Sequence, residues 1–439
     1  MNKRLPLLFR HVMYNLRGGF LVRPLGISLV LGCAGACLSA LEETFPAFNQ
    51  LMPKVLFPSH ADPQMAQVIL AGIAGSIMTV VSIVFAILLM TLTLASMQFS
   101  PRIIANFAKD RTTQWTLGIF LGTFLYCTAA LPAARTEPQP FAPVATVLGA
   151  MILAVACVGW LLYFIHHISQ AISVNYLVDR IASETEQVID EIMPWPRRRN
   201  PPPPDMEPIK TWQAPVTAEV SGYIRYIDTK RLVRCAKERH VKVRATRRVG
   251  HFIPAGVPIL MANREDRLSA AVRAELRGVF DIGPSRTLQQ DAEFGVLQIV
   301  DIALKAISPA VNDPSTAIGC VDQLSRILIR FASRQPPEPL LYDPPGVLRA
   351  CVPWIDFDGL AETAFGQIRM YATSDVAVSM RLLRALGDIA MAAPDPPLRR
   401  ALFDRGKQIV EGCARELGGE ELRPILARLA ELEKVCVTE

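Results

Sequence analysis

The chain has 439 residues, of which 51% are hydrophobic and 20% are charged, and its formal net charge is +6. This length allows two or three domains, each with its own core. Residues 194–268 carry 16 Lys and Arg against 7 Asp and Glu, a net charge of +9. The basic stretch lacks the modules and interleaved aromatic residues of nucleic-acid-binding domains, so we expect no nucleic-acid partner. The nine cysteines show neither zinc spacing nor a disulfide framework.

Four apolar segments lie within the first 175 residues. They cover about 24–41, 68–99, 115–131 and 144–168, and none contains Asp, Glu, Lys or Arg. Each is close to the roughly 20 helical residues that cross a hydrocarbon core of about 30 Å. Positive charge concentrates before the first segment and between the second and third. The positive-inside rule therefore predicts a multi-pass membrane protein with the N- and C-termini cytosolic.

The second apolar segment carries a stripe of small and hydroxylated residues at three- and four-residue steps, a spacing that places them on one helix face. The stripe comprises Gly72, Gly75, Ser76, Thr79, Ser82, Ala86, Thr93, Ser96 and Ser100. Two interpretations stay open. Small residues let membrane helices approach closely, and hydroxyl groups can also face water as the lining of a pore in an oligomer.

Two strings stand out from ordinary membrane sequence: SMQFSPR at 96–102, continued by DR at 110–111, and DIALKAISPAVNDPSTA at 301–317. With SGYI at 221–224, they resemble a bacterial family of predicted membrane proteins known as domain of unknown function 2254. The resemblance covers nearly the whole chain. It implies a location in the bacterial inner (cytoplasmic) membrane and a multi-pass membrane region followed by a cytosolic part, and it implies no catalytic residue.

The first string lies where the second span meets the cytosol, because Pro101 disfavours continuation of the helix. Arg102 is then at headgroup depth, where it can bind a lipid phosphate or a carboxylate such as Asp110. The candidate interfacial residues are Gln98, Arg102, Asp110 and Arg111. We expect the lipid bilayer and anionic headgroups as partners, together with further copies of this chain.

The remaining sequence predicts a multi-domain chain. Residues 1–193 form a transmembrane domain with four helices and a cytosolic helical extension, and 194–211, which contain RRR and PPPP, form a stiff linker. Residues 212–267 contain β-branched or alternating segments separated by Gly and Pro, which predict a small β-rich domain. The pattern is similar to the barrel-like sandwich of lipoyl and biotinyl domains, but Lys230 lacks the flanks of their attachment lysine. No covalent cofactor is expected.

Residues 268–439 show a helical pattern and predict a cytosolic all-α bundle. Its most distinctive segment is a Ser-Pro and Asn-Asp-Pro turn that ends one helix and starts the next. Free amides at a helix N-terminus bind anions, so the turn is a candidate anion site; the alternative is a capping structure that fixes a corner between helices or subunits. The candidate residues are Asp301, Lys305, Asn312, Asp313, Ser315 and Thr316.

The sequence shows no nucleophile–base pair, phosphate-binding loop or metal-ligand cluster, so we expect neither enzyme activity nor a cofactor. The first hypothesis is an oligomeric channel or permeation protein with a cytosolic domain for assembly or gating. The competing hypothesis is a non-conducting membrane scaffold or sensor whose cytosolic domain binds a partner or a small anionic ligand. The surroundings of the 72–100 stripe, water or protein, distinguish the two.

Overall fold

The computed structural model describes residues 22–45, 62–98, 111–137, 139–171, 173–196, 212–343, 346–393 and 396–437, with backbone only at 94–98, 171 and 437. The chain divides into two compact units, the first ending at Ser173 and the second starting at Val174. The helical extension expected within a 1–193 domain thus belongs to the second unit, because its apolar face packs against helices there. The predicted linker at 194–211 lies mostly outside the described residues.

The first unit contains four long helices. They are α1 (Val22–Thr44), α2 (Pro63–Gln98), α3 (Arg111–Ala130) and α4 (Val144–Ala171), with a short 3-10 turn at Leu131–Ala133. All four are long and apolar enough to cross a membrane, which confirms the four predicted spans to within a few residues at each end. Half of the spanning part of α3 is buried, against 22% or less in the other three. The unit is therefore built around α3.

Glycines bring α1 and α3 into close contact. A Cβ atom added at Gly35 of α1 would lie 2.5 Å from the main-chain oxygen of Tyr126 in α3. A Cβ at Gly122 of α3 would lie 2.5 Å from Leu31 Cδ1 of α1. Small residues at a crossing let membrane helices pack backbone against side chain, where dispersion contacts replace the missing hydrophobic driving force.

The second unit begins with α5 (Val174–Ile192) and continues with eight strands in the described residues. The strands are β1 (Ala214–Thr217), β2 (Gly222–Ile227), β3 (Val243–Ala245), β4 (Phe252–Ile253), β5 (Pro258–Ala262), β6 (Phe280–Gly283), β7 (Leu340–Asp343) and β8 (Val347–Cys351). Two short helices, α6 (Thr229–Glu238) and α7 (Ala270–Arg277), lie between them. Their shared core includes Ile224, Leu232, Val243 and Leu260.

The strands form two open sheets, so the expected barrel-like domain is wrong. One sheet has the order β1-β5-β3-β8-β7 and the other has the order β4-β2-β6. Neither sheet of the described strands closes on itself. The pairing of β3 with β8 is parallel, and β8 belongs to a hairpin that follows β3 by about a hundred residues. Strands β6 to β8 thus extend the β-rich part beyond 212–267, into sequence that was expected to be wholly helical.

Six further helices complete the described part of the second unit. They are α8 (Ala292–Ala306), α9 (Pro314–Ala332), α10 (Phe357–Tyr371), α11 (Val376–Ala392), α12 (Pro396–Cys413) and α13 (Gly419–Val437). Helix α8 is buried over most of its surface and packs against α5, α9 and α10. An aspartate caps the N-terminus of each of the four helices α8 to α11, because a carboxylate accepts from the free amides there.

Candidate functional site

The small-residue face of α2 points away from the other three helices of its unit. The opposite face of α2 is the packed one, with Leu70, Ala74, Ile77, Val81 and Val84 buried. The described stripe residues are all exposed: Gly72, Gly75, Ser76, Thr79, Ser82, Ala86 and Thr93. Nothing lies within 4 Å of a Cβ added at Gly72 or Gly75. Within the described part of the chain, the stripe therefore does not serve packing; the side chains of Ser96 and Ser100 lie outside the described residues.

The hydroxyl groups on this face bond to their own helix. Thr79 Oγ1 donates to the Gly75 oxygen at 3.1 Å, and Ser82 Oγ donates to the Met78 oxygen at 3.0 Å. Such bonds satisfy the hydroxyl proton in apolar surroundings and leave the hydroxyl oxygen able to accept a further bond. The face is therefore chemically suited both to close contact with another helix and to contact with water.

One of the four interfacial candidates can be placed. Arg111 is the first residue of α3 and is exposed. The side chain of Gln98, together with Arg102 and Asp110, lies outside the described residues. Their predicted role at the membrane surface stays a prediction.

A buried carboxylate that the sequence reasoning missed joins α1 to α4. Glu42 is fully buried and accepts from the main-chain nitrogens of Ala145 and Thr146 at 2.6 and 2.9 Å. These amides lie in the first turn of α4, where helix donors lack partners within the helix. The next residue, Glu43, forms an ion pair with Arg135. The available signal was a pair of acids immediately after an apolar segment.

In the second unit, two arginines and two carboxylates form a buried arginine–carboxylate cluster of Arg248, Arg286, Asp291 and Glu293. Arg248 binds Glu293 through two hydrogen bonds of 2.9 Å each. Arg286 binds Asp291 at 2.8 and 2.9 Å and also donates to Glu293 at 2.8 Å. The side chains of the cluster are between 3 and 20% exposed. Such paired, two-pronged bonds are among the stronger polar contacts in proteins.

The cluster joins three segments that are far apart in sequence. Asp291 also caps α8 by accepting from the Phe294 amide at 3.1 Å. Gly250, with φ +87°, follows β3, and a Cβ there would lie 2.5 Å from Asp291 Oδ2. Thr363 of α10 donates to Glu293 at 3.1 Å. The cluster thereby holds three elements together: the loop after β3, the start of α8, and helix α10.

The charges of the cluster balance one another. Burial by itself raises the pKa of Glu293, but the hydrogen bonds and positive charges of Arg248 and Arg286 outweigh it and lower that pKa to about 2. Burial and then the charge of Arg248 lower the pKa of the adjacent His251. At neutral pH two positive charges meet two negative ones, which leaves no unpaired charge to hold an anion. We infer that the cluster fixes the fold of this unit.

A cavity of about 30 Å³ lies beside the cluster, lined by residues that include Met193, Gln290 and Trp354. The indole Nε1 of Trp354 is buried and has no hydrogen-bond partner among the described residues. A space of this size holds a water molecule. The described residues include no group of three or more His, Cys, Asp and Glu that could hold a metal ion.

The turn before α9 has the geometry of a cap. Asp313 accepts from the Thr316 amide at 3.1 Å and from the Thr316 hydroxyl, and these bonds lower the pKa of Asp313. Asn312 adopts φ +50°, which turns the chain sharply before the helix. The carboxylate already occupies the position that an anion would take, so the geometry favours the corner alternative. Ser315 is exposed, and Asp301 and Lys305 lie one turn apart on α8, half-buried.

Two arginines of α9, and Arg334 just after its end, bind acids of α5. Arg326 lies 2.8 Å from Asp179 and 2.6 Å from Glu186, and Arg330 and Arg334 both contact Asp190. The hydrogen bond from Arg330 lowers the pKa of Asp190. Between these pairs, the apolar face of α5 is buried against α8 and α9. Because α5 begins three residues after the last residue of α4, this network ties the continuation of the fourth span to the second unit.

Reversing the charge of Asp190 is expected to loosen α5. In Asp190→Arg the new cation would meet Arg330 and Arg334, and we expect amide exchange of residues 174–192 to accelerate about tenfold. Hydrogen exchange of the full chain in detergent measures this. Glu184→Arg is the matched control, because within the described residues Glu184 pairs with Arg180 of the same helix and with no other cation. Equal exchange in the two variants would show that the network does not hold α5.

Comparison with known proteins agrees with the membrane character of the first unit. The model of a family of predicted membrane proteins matches residues 17–388. Uncharacterised proteins of Mycobacterium bovis and Mycobacterium tuberculosis are each 31% identical to this chain over 428 residues, covering 94% of it and 80% of their own length. No solved structure matches. The chain therefore belongs to the family of predicted membrane proteins known as domain of unknown function 2254.

Proposed function

We propose that this membrane protein forms an oligomer in which the outward face of α2 lines a permeation path. The observation that carries the proposal is the exposed set of small and hydroxylated residues on that face, although Met78 and Ile83 are exposed beside them; the set is Gly72, Gly75, Ser76, Thr79 and Ser82. The outward face of α4 instead presents large apolar residues such as Ile152 and Val155. Large apolar side chains suit lipid, whereas small and hydroxylated ones suit a neighbouring helix or water.

The path hypothesis assigns a role to each unit. Copies of α2 around an axis would place the hydroxyls of Thr79 and Ser82 toward the centre, where their oxygens can accept from water or coordinate a cation. The second unit would assemble or gate the path through α5, which the arginines of α9 hold in place. No catalytic step is part of this proposal.

The alternative is a non-conducting scaffold or sensor, and one observation favours it. The hydroxyl protons of Thr79, Ser82 and Thr93 are satisfied within the helix, so these three groups need no water. Copies of α2 could then pack face to face and leave no path. In this case the second unit would carry the function by binding a partner.

Ion flux into liposomes that contain the purified full chain tests the proposal. We expect flux from the unmodified protein and a reduction of at least about tenfold in Thr79→Trp and Ser82→Trp, because an indole side chain in the lining would narrow the path. Val155→Trp is the control, since Val155 is 73% exposed on α4. Oligomer size is measured for every variant. Absence of flux in the unmodified protein across ions and voltages, or equal flux in the stripe variants, would contradict the path.

A further inference from the structure

Helix α6 presents a cationic ridge, which we define as Lys230, Arg234 and Lys237. These residues stand four and three positions apart and so share one side of the helix. All three are exposed. The opposite side of α6 is buried in the core of the β-rich part, through Leu232, Cys235 and Ala236. This burial fixes the direction in which the ridge points, which is toward solvent.

The ridge is only partly neutralised. Lys237 lies 2.9 Å from Asp343 Oδ1, while Lys230 and Arg234 have no carboxylate partner within the described residues. Two cations elsewhere in the unit, Lys407 of α12 and Arg428 of α13, are paired and serve as references. Lys407 lies 2.6 Å from Asp404, and Arg428 lies 2.6 Å from Glu431. The positive charge of the ridge is therefore available to a partner.

The shape of the ridge does not favour the binding of a single phosphate ion. The N-terminus of α6 is closed by Asp228, whose carboxylate accepts from the Arg231 amide at 2.9 Å. The three cations spread along about 10 Å of helix surface. Such an extended, convex array fits a surface that carries many negative charges better than it fits one small anion.

We propose that the cationic ridge of α6 binds the anionic lipid headgroups of the membrane that holds this chain. An anionic lipid surface attracts exposed Lys and Arg side chains that come within a Debye length of it. The spans keep the second unit near a bilayer, so the lipid surface is present at high effective concentration. The proposal rests on the membrane location of the chain and is independent of the permeation path.

Lysine acetylation in nanodiscs tests the proposal on the full chain. The protein is placed in discs of phosphatidylcholine alone or mixed with phosphatidylglycerol, and a membrane-impermeant reagent acetylates exposed amines. Mass spectrometry then compares the rate at Lys230 with the rate at Lys407. We expect the Lys230 rate to fall severalfold in the phosphatidylglycerol discs and to recover at high salt, because salt screens exposed charges. Soluble glycerol phosphate added to phosphatidylcholine discs should give no protection.

Two variants separate docking from a general effect of the anionic disc on the reagent. Arg234→Gln should abolish most of the protection of Lys230, whereas Arg428→Gln should leave it intact. The Lys407 rate in each variant checks that the unit is folded. Equal Lys230 rates in the two kinds of disc would overturn the proposal, and so would protection that persists unchanged in Arg234→Gln.

Discussion

Replacing Glu293 by Gln is expected to destabilise the second unit by about 3 kcal/mol, because removal of one charge from a buried ion pair leaves its partners uncompensated. Arg248 would lose the charge of its two-pronged partner, and Arg286 would keep only Asp291. The expected effect is large because these side chains are mostly buried, so water cannot replace the lost interaction.

Hydrogen exchange of the full chain under increasing urea measures this loss, followed on peptides from α8 and α10. Asp404→Asn is the matched control, since Asp404 also pairs with a cation but is 55% exposed; it should cost less than about 1 kcal/mol. A double-mutant cycle with Arg248→Gln should return a coupling energy of more than about 1 kcal/mol. A Glu293 variant as stable as the control would show that the cluster does not hold the unit together.

The lowered pKa of Glu293 also predicts how the free energy of unfolding depends on pH. Arg248 and Arg286 lower the pKa of Glu293 to about 2 in the folded chain, from an ordinary value of 4.5. A lowered pKa means that the folded state binds the proton less tightly than the unfolded state does. The stabilisation by Glu293 is therefore complete above pH about 4.5 and is lost as pH falls toward about 2. In Glu293→Gln this part of the acid sensitivity should disappear.

The membrane helices could be predicted from the sequence because lipid imposes a simple condition on it. A helix that crosses the hydrocarbon core needs a long run without charge, and all four predicted runs are helices in the structure. The start of α9 could also be predicted from neighbouring residues alone, because Asp313 caps the helix and Pro314 is its first residue. Neither prediction required knowledge of which residues meet in space.

The sheets and the arginine–carboxylate cluster could not be predicted in this way. Strand β8 pairs with β3 across about a hundred residues, and no alternation pattern within either strand reveals its partner. Arg248 and Glu293 are 45 positions apart, and in the sequence each has the character of an ordinary surface charge. The stripe on α2 was visible, but its direction depends on which other face of α2 is packed, which is a property of the whole unit.

The contrast between two sets of glycines clarifies what the first unit is built to do. Gly35 and Gly122 are used within the chain, at the crossing of α1 and α3. Among the residues that the structure describes, nothing lies within 4 Å of a Cβ added at Gly72 or Gly75, so these glycines make no such close contact there. The glycines at the crossing of α1 and α3 thus explain the packing of the unit. Those on the outward face of α2 are available for contact with a second copy of the chain or with water. Substitutions at the two sets should therefore differ in kind: loss of folding in the first, loss of assembly or flux in the second.

Replacing Gly35 by Val is accordingly expected to destabilise the first unit by about 3 kcal/mol or more, at the upper end of what overpacking costs. The added Cβ would lie 2.5 Å from the main-chain oxygen of Tyr126, and a backbone atom cannot move aside as the end of a side chain can. Helices α1 and α3 would have to separate, with loss of the dispersion contacts along their crossing.

Gly26→Val on the same helix is the matched control, because nothing lies within 4 Å of a Cβ at Gly26. Both variants add the same β-branched side chain to α1, so effects on helix propensity are shared. The thermal midpoint of the full chain in detergent, read as loss of the soluble folded protein, should fall by about 6 to 12 °C more in Gly35→Val than in the control. Equal midpoints would mean that α1 and α3 do not cross at Gly35. Such a result would contradict the close packing of these two helices.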